Sequence, residues 1–214
     1  EILDRLQHPV GMPAIREMAA AGHEAIIVFD DLSRGTPAKV PAELAVQELL
    51  AGGLKKENIR FLCALGNHGA LTRADFVCKL GEEIVENFPI YNHNPYEHLV
   101  KIGVDHAGED VLINQEFMAC DIRIGIGSVS PHPLNGFGGG GKLLFPGIAG
   151  IRTTYANHSR REFKPFSPEP CGLRRDIEAM TDMARPFFKI DAVLNAKLEI
   201  VELRAGDPVQ EYYQ

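Results

Sequence analysis

Six side chains in this 214-residue sequence have types and settings suited to chemistry. Lys142 directly follows a glycine run (Gly136, Gly138, Gly139, Gly140, Gly141), and glycines let the backbone come close to a bound group. Such a loop, opening into a helix, points successive N–H groups at an anion, so Gly138, Gly139, Gly140 and Gly141 form a candidate phosphate cradle. A lysine at its edge pairs with a phosphate or, once desolvated, acts as a nucleophile. His132 stands between Pro131 and Pro133, a rigid mount for a proton-transfer group or simply a turn. His158 offers a ring nitrogen to a metal, or caps a helix end. His68 lies in GNHG among small residues, free to project into a cleft or into solvent. Asp31 and Arg34 share the segment DLSRGTP, where the guanidinium fork suits a carboxylate or a surface ion pair.

The elements that must hold these groups alternate between strand and helix. AIIVFD (Ala25–Asp30), IRFLCAL (Ile59–Leu65) and DIRIGIGS (Asp121–Ser128) read as strands, the first a continuous β-branched and aromatic run of the kind buried on both faces and the second the next buried strand. Helices are expected over Pro13–Ala21, Val40–Leu50, Arg73–Asn87 behind a Thr72/Asp75 capping box, Pro146–Asn157, and from Arg174. Pro89–Val111 reads as short extended pieces and Asn114–Cys120 as a helical turn. Phe163–Pro170, with three prolines, is a connection, and Ile190–Leu194 with Lys197–Leu203 forms a closing hairpin. This pattern predicts an α/β layered, Rossmann-like fold with a largely parallel sheet. It makes residues 1–214 a single domain with a sub-boundary near 163–170. The loops after Asp30, Leu65 and Ser128 all leave carboxyl ends of strands, where ligands of such folds gather. The chemical groups therefore meet on one sheet edge.

Composition narrows the function. A net charge of −7 argues against nucleic acid as a partner, and no apolar run reaches membrane-span length. Cys63, Cys78, Cys120 and Cys171 show no metal-knuckle spacing and read as reduced thiols of a cytoplasmic protein, Cys63 and Cys120 as core residues. His93, His98 and His106 read as surface residues, and Glu82, Glu83 and Glu86 as a solvated helix face. Leu143 replaces the hydroxyl residue of a P-loop, so the glycine run is not an NTPase site. The chain starts at Glu1 rather than Met, which suggests a processed chain or a piece of something longer. From the residues alone, three readings stay open: a cofactor enzyme, a metal hydrolase built from His68, His132 and His158, and a non-enzymatic nucleotide- or anion-binding module.

At these same residues the chain resembles the nickel-dependent lactate racemase family. DLSRGTP (Asp31–Pro37) matches its Asp-Leu-Thr-Arg-x-x-Pro loop, and GNHG matches Gly-Thr-His-Arg with His68 on the histidine. PHPLNGFGGGGKLLFPG (Pro131–Gly147) matches Pro-His-x-x-x-Gly-Phe-Ser-Gly-Gly-x-Lys-x-x-x-Pro-Gly, and ANHS carries His158. The resemblance implies a pyridinium-3-thioamide-5-thiocarboxylate mononucleotide, a pincer that holds nickel and is tethered to Lys142. It implies His158 as the nickel ligand, His68 and His132 as the acid/base pair, and Arg34 with Asp31 at the substrate. The glycine loop would hold the nucleotide phosphate. The implied reaction racemises or epimerises a 2-hydroxy acid by hydride exchange with the cofactor through a 2-keto acid. Gly138, Gly69, Pro133 and Leu134 depart from residues common in lactate racemases, which points to another small 2-hydroxy acid or a sugar acid. The resemblance covers about the amino-terminal half of the family's length. It therefore implies a carboxyl-terminal domain and cofactor-maturation proteins as partners, and little activity for this piece alone.

Overall fold

The computed structural model describes residues 2–159 and 163–214, so the reading of Glu1 lies outside it. Its centre is a six-stranded sheet of β1 (Ala25–Asp30), β2 (Ile59–Ala64), β3 (Ile90–Asn92), β6 (Ile122–Val129), β9 (Phe188–Leu194) and β10 (Ile200–Gly206), in the order β10-β9-β6-β1-β2-β3. All neighbours pair in parallel except β10, which runs antiparallel to β9. From β1 the chain steps outward to β2 and β3, then returns to lay β6 on the other side of β1. The order therefore reverses between β1 and β6, which opens a crevice at their carboxyl ends. Two small antiparallel pairs complete the strands. One joins β4 (Leu99–Val104) and β5 (Asp110–Asn114), the other β7 (Pro131–His132) and β8 (Gly136–Phe137).

Strand alternation sorts the side chains into two cores. Ala25, Ile27 and Phe29 of β1, with Ile59, Phe61 and Cys63 of β2, face one apolar cluster. It is covered by α1 (Ile2–Gln7), α2 (Ile15–Ala21), α3 (Lys39–Ala51), α4 (Arg73–Leu80) and α5 (Glu82–Asn87). Ile26, Val28 and Leu62 face a second cluster shared with β5, α6 (Gln115–Ala119) and α8 (Gly172–Met183). Helix α7 (Ile151–Ser159) lies along the crevice edge of that layer. The apolar run of β1 and the largely apolar β2 are thus strands with a core on each side, as expected from their sequences. The Phe163–Pro170 connection carries no helix or strand, and β9 and β10 beyond it extend the same sheet.

Three local expectations need correction. The helix predicted over Arg73–Asn87 is two helices, because Gly81 at φ +86° ends α4 and starts α5. The Thr72/Asp75 capping box at its start is present. The helix expected from Pro146 begins only at Ile151. Residues before it spend their backbone groups on β5 instead: Ile148 O accepts from Asn114 N (3.0 Å), Gly150 N donates to Leu112 O (2.9 Å), and Ala149 bridges to Ile113. That pairing also explains His93, which is buried rather than at the surface. Its Nε2 donates to Ala149 O at 2.9 Å while Asn114 Nδ2 donates to its Nδ1 at 3.2 Å, and burial lowers its pKa. His98 and His106 are exposed as expected, as are Glu82, Glu83 and Glu86.

Candidate active site

The first loop leaves β1 through two consecutive aspartates with different tasks. Asp30 is buried and forms an ion pair with Lys79 Nζ of α4 at 2.6 Å, and it accepts from Thr36 Oγ at 2.5 Å. Thr36 Oγ also lies 2.8 Å from Ser128 Oγ, which couples this loop to the end of β6. Burial raises the Asp30 carboxyl even against Lys79. The same ammonium donates to Asp31 O (3.1 Å) and Arg34 O (3.0 Å), so one buried lysine holds the turn that presents Arg34. Both oxygens of Asp31 are occupied. Ser33 N donates to Oδ1 at 2.7 Å, and His68 Nδ1 lies 2.5 Å from Oδ2. Burial alone would raise this carboxyl, but the bonds from Ser33 and His68 outweigh it and hold it below the ordinary carboxylate range. Asp31 therefore addresses His68 directly.

His68 sits in the second loop, which Gly66 N fastens to Gly147 O at 2.8 Å. Because Nδ1 faces an ionised carboxylate, it carries the proton, and Nε2 keeps its lone pair for the cleft. His132 is held in the opposite sense. Leu134 N donates to its Nδ1 at 3.2 Å, so the neutral ring carries its proton on Nε2. Burial, then the charges of Lys142, Arg34 and His158, push its pKa down to about 4. One histidine presents an acceptor and the other a donor.

Lys142 stands half-buried on a short 3₁₀ turn, Gly140–Leu143. Burial, then Arg34 and Arg174, lower its pKa to about 7. Among the described residues, neither its ammonium nor the Arg34 guanidinium takes a side-chain hydrogen bond or ion pair. The turn is fixed from behind. Asp191 Oδ2 accepts from Gly140 N at 2.5 Å, and Arg174 donates to Gly139 O at 3.0 Å while lying 3.6 Å over the Tyr212 ring. Asp191 is paired with Lys189, both fully buried. Glu211 is buried beside them, and burial, then the charge of Asp191, raises its pKa well above the carboxylate range. Neither Gly140 nor Gly141 touches the cleft: a Cβ on Gly141 would lie 2.0 Å from Thr181 Oγ1, whereas Gly138 and Gly139 line the wall.

His158 lies on α7, and its Nδ1 donates to Thr154 O at 3.0 Å, so in the neutral ring Nε2 is the nitrogen available to a metal. One turn earlier, Thr154 Oγ is buried, faces the same cleft and has no hydrogen-bond partner. The cleft that gathers Asp31, Arg34, His68, His132, Gly138, Gly139, Lys142 and His158 has a volume of about 390 Å³. It lies at the reversal between β1 and β6. Among the described residues no three His, Cys, Asp or Glu side chains are grouped to hold a metal ion, so His68, His132 and His158 do not form a zinc site. A metal on His158 needs its other donors from a bound group. A sulfur-armed pincer nucleotide fits that need, with Lys142 unpaired beside it and Thr154 Oγ available to it.

Sequence reasoning missed Asp30, Lys79, Thr154, Arg174, Lys189, Asp191 and Glu211. Thr154 was open to detection, standing four residues before His158 on one helix face. The others are joined by contacts between distant segments and leave no spacing signal.

A doubly wound sheet with a cationic, histidine-flanked cleft at its switch point is a Rossmann-like ligand-binding domain. The chain belongs to the lactate racemase N-terminal domain family, whose model matches residues 1–166. It is 31% identical over 210 residues to a lactate racemase of Lactiplantibacillus plantarum, and 28% identical over 208 residues to one of Thermoanaerobacterium thermosaccharolyticum. Each alignment covers 94% of this chain and 49% of the relative, so the chain spans about half the length of these proteins. The structure of the T. thermosaccharolyticum lactate racemase apoprotein superposes with a TM-score of 0.92 at 25% identity, over 99% of this chain and 52% of that one. A protein of Thermotoga maritima shares the fold, with a TM-score of 0.71 at 20% identity over 93% of this chain and 56% of that one. No helix among the described residues is long and apolar enough to cross a membrane.

Proposed function

We propose that this chain is the cofactor-bearing half of a racemase or epimerase of small 2-hydroxy acids or sugar acids, working in the cytoplasm with free thiols. The observation that carries this reading is a pair of histidines held by opposite partners, His68 Nδ1 against the Asp31 carboxylate and His132 Nδ1 under the Leu134 N–H, set in one cleft with a guanidinium and a lysine that have no side-chain partner among the described residues. Arg34 would take the substrate carboxylate in a bidentate pair. His68 Nε2, backed by the Asp31 charge, would accept the hydroxyl proton, and the buried carboxylate would stabilise the imidazolium that forms. His132 Nε2–H would hydrogen-bond the oxygen of the 2-oxo acid on the other side and, in its imidazolium form, would return a proton to that oxygen as hydride is given back, ending as the neutral ring. Lys142 would anchor a nickel pincer nucleotide, Gly138 and Gly139 would approach its phosphate, and His158 Nε2 would be the protein's ligand to nickel. When bound, that group supplies the acceptor and donor of hydride. The other half of the site would come from a carboxyl-terminal domain like the one its relatives' length leaves room for, so the 214-residue chain alone should turn over little substrate.

The test is co-production with cofactor-maturation proteins, followed by intact mass, peptide mapping and metal analysis. A mass increment on the Lys142 peptide with one nickel per chain is the expected result. Bound zinc with an unmodified lysine would replace this reading by a metal hydrolase. Reversible binding of a plain nucleotide without metal would replace it by a binding module.

A further inference from the structure

The Lys142 amine and the Arg34 guanidinium line one half-enclosed cleft, and neither has a partner among the described residues. The carboxylates nearby are already committed: Asp31 to His68 and Ser33, Asp30 to Lys79 and Thr36, Asp191 to Lys189 and Gly140 N. The cleft thus offers a small molecule one cation to hold a carboxylate and one amine to attack a carbon near it. A 2-oxo acid has that form, with an electrophilic carbonyl directly beside its carboxylate.

We propose that, before any cofactor is attached, Lys142 condenses with 2-oxo acids to form an imine, with Arg34 holding their carboxylate. The lysine nitrogen lone pair attacks C2 as the carbonyl π bond breaks, and the proton shed by that nitrogen passes to the oxygen to give a neutral carbinolamine. Loss of the hydroxyl as water, with one more proton from solvent, leaves the protonated imine. No redox change occurs, and hydrolysis restores both partners. The desolvated, cation-flanked setting supports the step. With its pKa lowered to about 7, a substantial share of Lys142 is free amine at neutral pH, against well under one part in a thousand (roughly 4 in 10,000) for an ordinary exposed lysine. His132, neutral and beside it, can relay the protons. The imine occupies the nitrogen that a tethered nucleotide would need, so 2-oxo acids would compete with cofactor attachment. The inference rests on the racemase reading for its biological sense, since a 2-oxo acid is the intermediate of that reaction, but not for its chemistry.

The experiment treats the purified chain, free of cofactor, with pyruvate and sodium cyanoborohydride near pH 7.5, then reads intact mass and maps the peptides. The expected result is one reduced adduct on the Lys142 peptide, formed at least 10-fold faster than on any other lysine. Lys142→Arg and Lys142→Met should both abolish it, and Arg34→Gln should slow it about 10-fold. Acetone, a ketone without the carboxylate, should label Lys142 at least 10-fold more slowly than pyruvate. Adduct spread over surface lysines, equal labelling by acetone, or no adduct on chain shown to be folded by circular dichroism would overturn the proposal. A chain that traps pyruvate on Lys142 but never takes up nickel and cofactor would leave the imine standing and remove the racemase reading. The reverse pattern would remove only the imine.

Discussion

The two walls of the cleft use histidine in opposite ways. On the His68 wall the imidazole leans on a carboxylate, which is held by a backbone N–H, in a loop held by a buried lysine. On the His132 wall the ring has one backbone partner, and the charges around it are positive. The same side chain is thereby an acceptor backed by negative charge on one side and a neutral donor amid cations on the other. Residue type sets what a histidine is able to do. The atom bonded to its far nitrogen sets what it does.

Asp31→Asn is the strongest way to break this contrast. The amide has an NH₂ that can donate to Nδ1 and drive the proton to Nε2, so both walls would present donors. In a preparation complemented with the proposed carboxyl-terminal domain and cofactor, kcat should fall about 10²- to 10⁴-fold, the range for loss of a positioned acid/base group. Nitrogen-15 NMR of the histidines should show His68 changing tautomer while His132 does not; an unchanged His68 spectrum would refute the assignment.

The backing of the cationic wall comes next. Gly141→Ala puts a methyl 2.0 Å from Thr181 Oγ1 and should cost about 1–3 kcal/mol by overpacking, read as a lower urea midpoint. Gly138→Ser, which puts in a residue common in lactate racemases, meets nothing closer than Ser130 Oγ at 3.4 Å and should move stability by less than about 0.5 kcal/mol. Equal losses from both would mean that the loop is not layered as described.

The smallest effect concerns the coupling between Lys142 and His132. Removing a positive neighbour favours the imidazolium, so Lys142→Met should raise the His132 pKa from about 4, followed by NMR titration. The direction is the test: an unchanged or lower value would show that Lys142 does not act on His132. Neutralising the amine by acylation should act in the same sense, so tethering a cofactor would also retune the donor wall.

The sequence made much of this visible where chemistry depends on neighbours along the chain. The parallel strands showed in AIIVFD and IRFLCAL because both faces of each are apolar. His68, His132, Lys142 and His158 stood out because glycine, proline or spacing marked them, and the structure brings all four to one cleft. What remained hidden depends on register across distant segments. Lys189 and Asp191 alternate around Ile190 like residues of an ordinary surface hairpin, and only pairing with β6 carries them under the glycine loop. His93 looked solvent-facing because its partners, Asn114 and Ala149, lie 21 and 56 residues away. Gly81 was absorbed into a helix since a lone glycine is tolerated there; its φ of +86° is what divides α4 from α5.

The support beneath the glycine loop has a consequence for the order of events during synthesis. Gly140 rests on Asp191, Arg174 beside it stacks on Tyr212, and a Cβ on Gly140 would touch Pro208 O at 2.7 Å. The platform for Lys142 is therefore completed by residues translated about 70 positions later, a delay of roughly 4–14 s at ordinary elongation rates. During that interval the emerging chain already carries Lys142 but not its seat. Any group that Lys142 is to hold would find its seat complete only once β10 and the turn after it have been made.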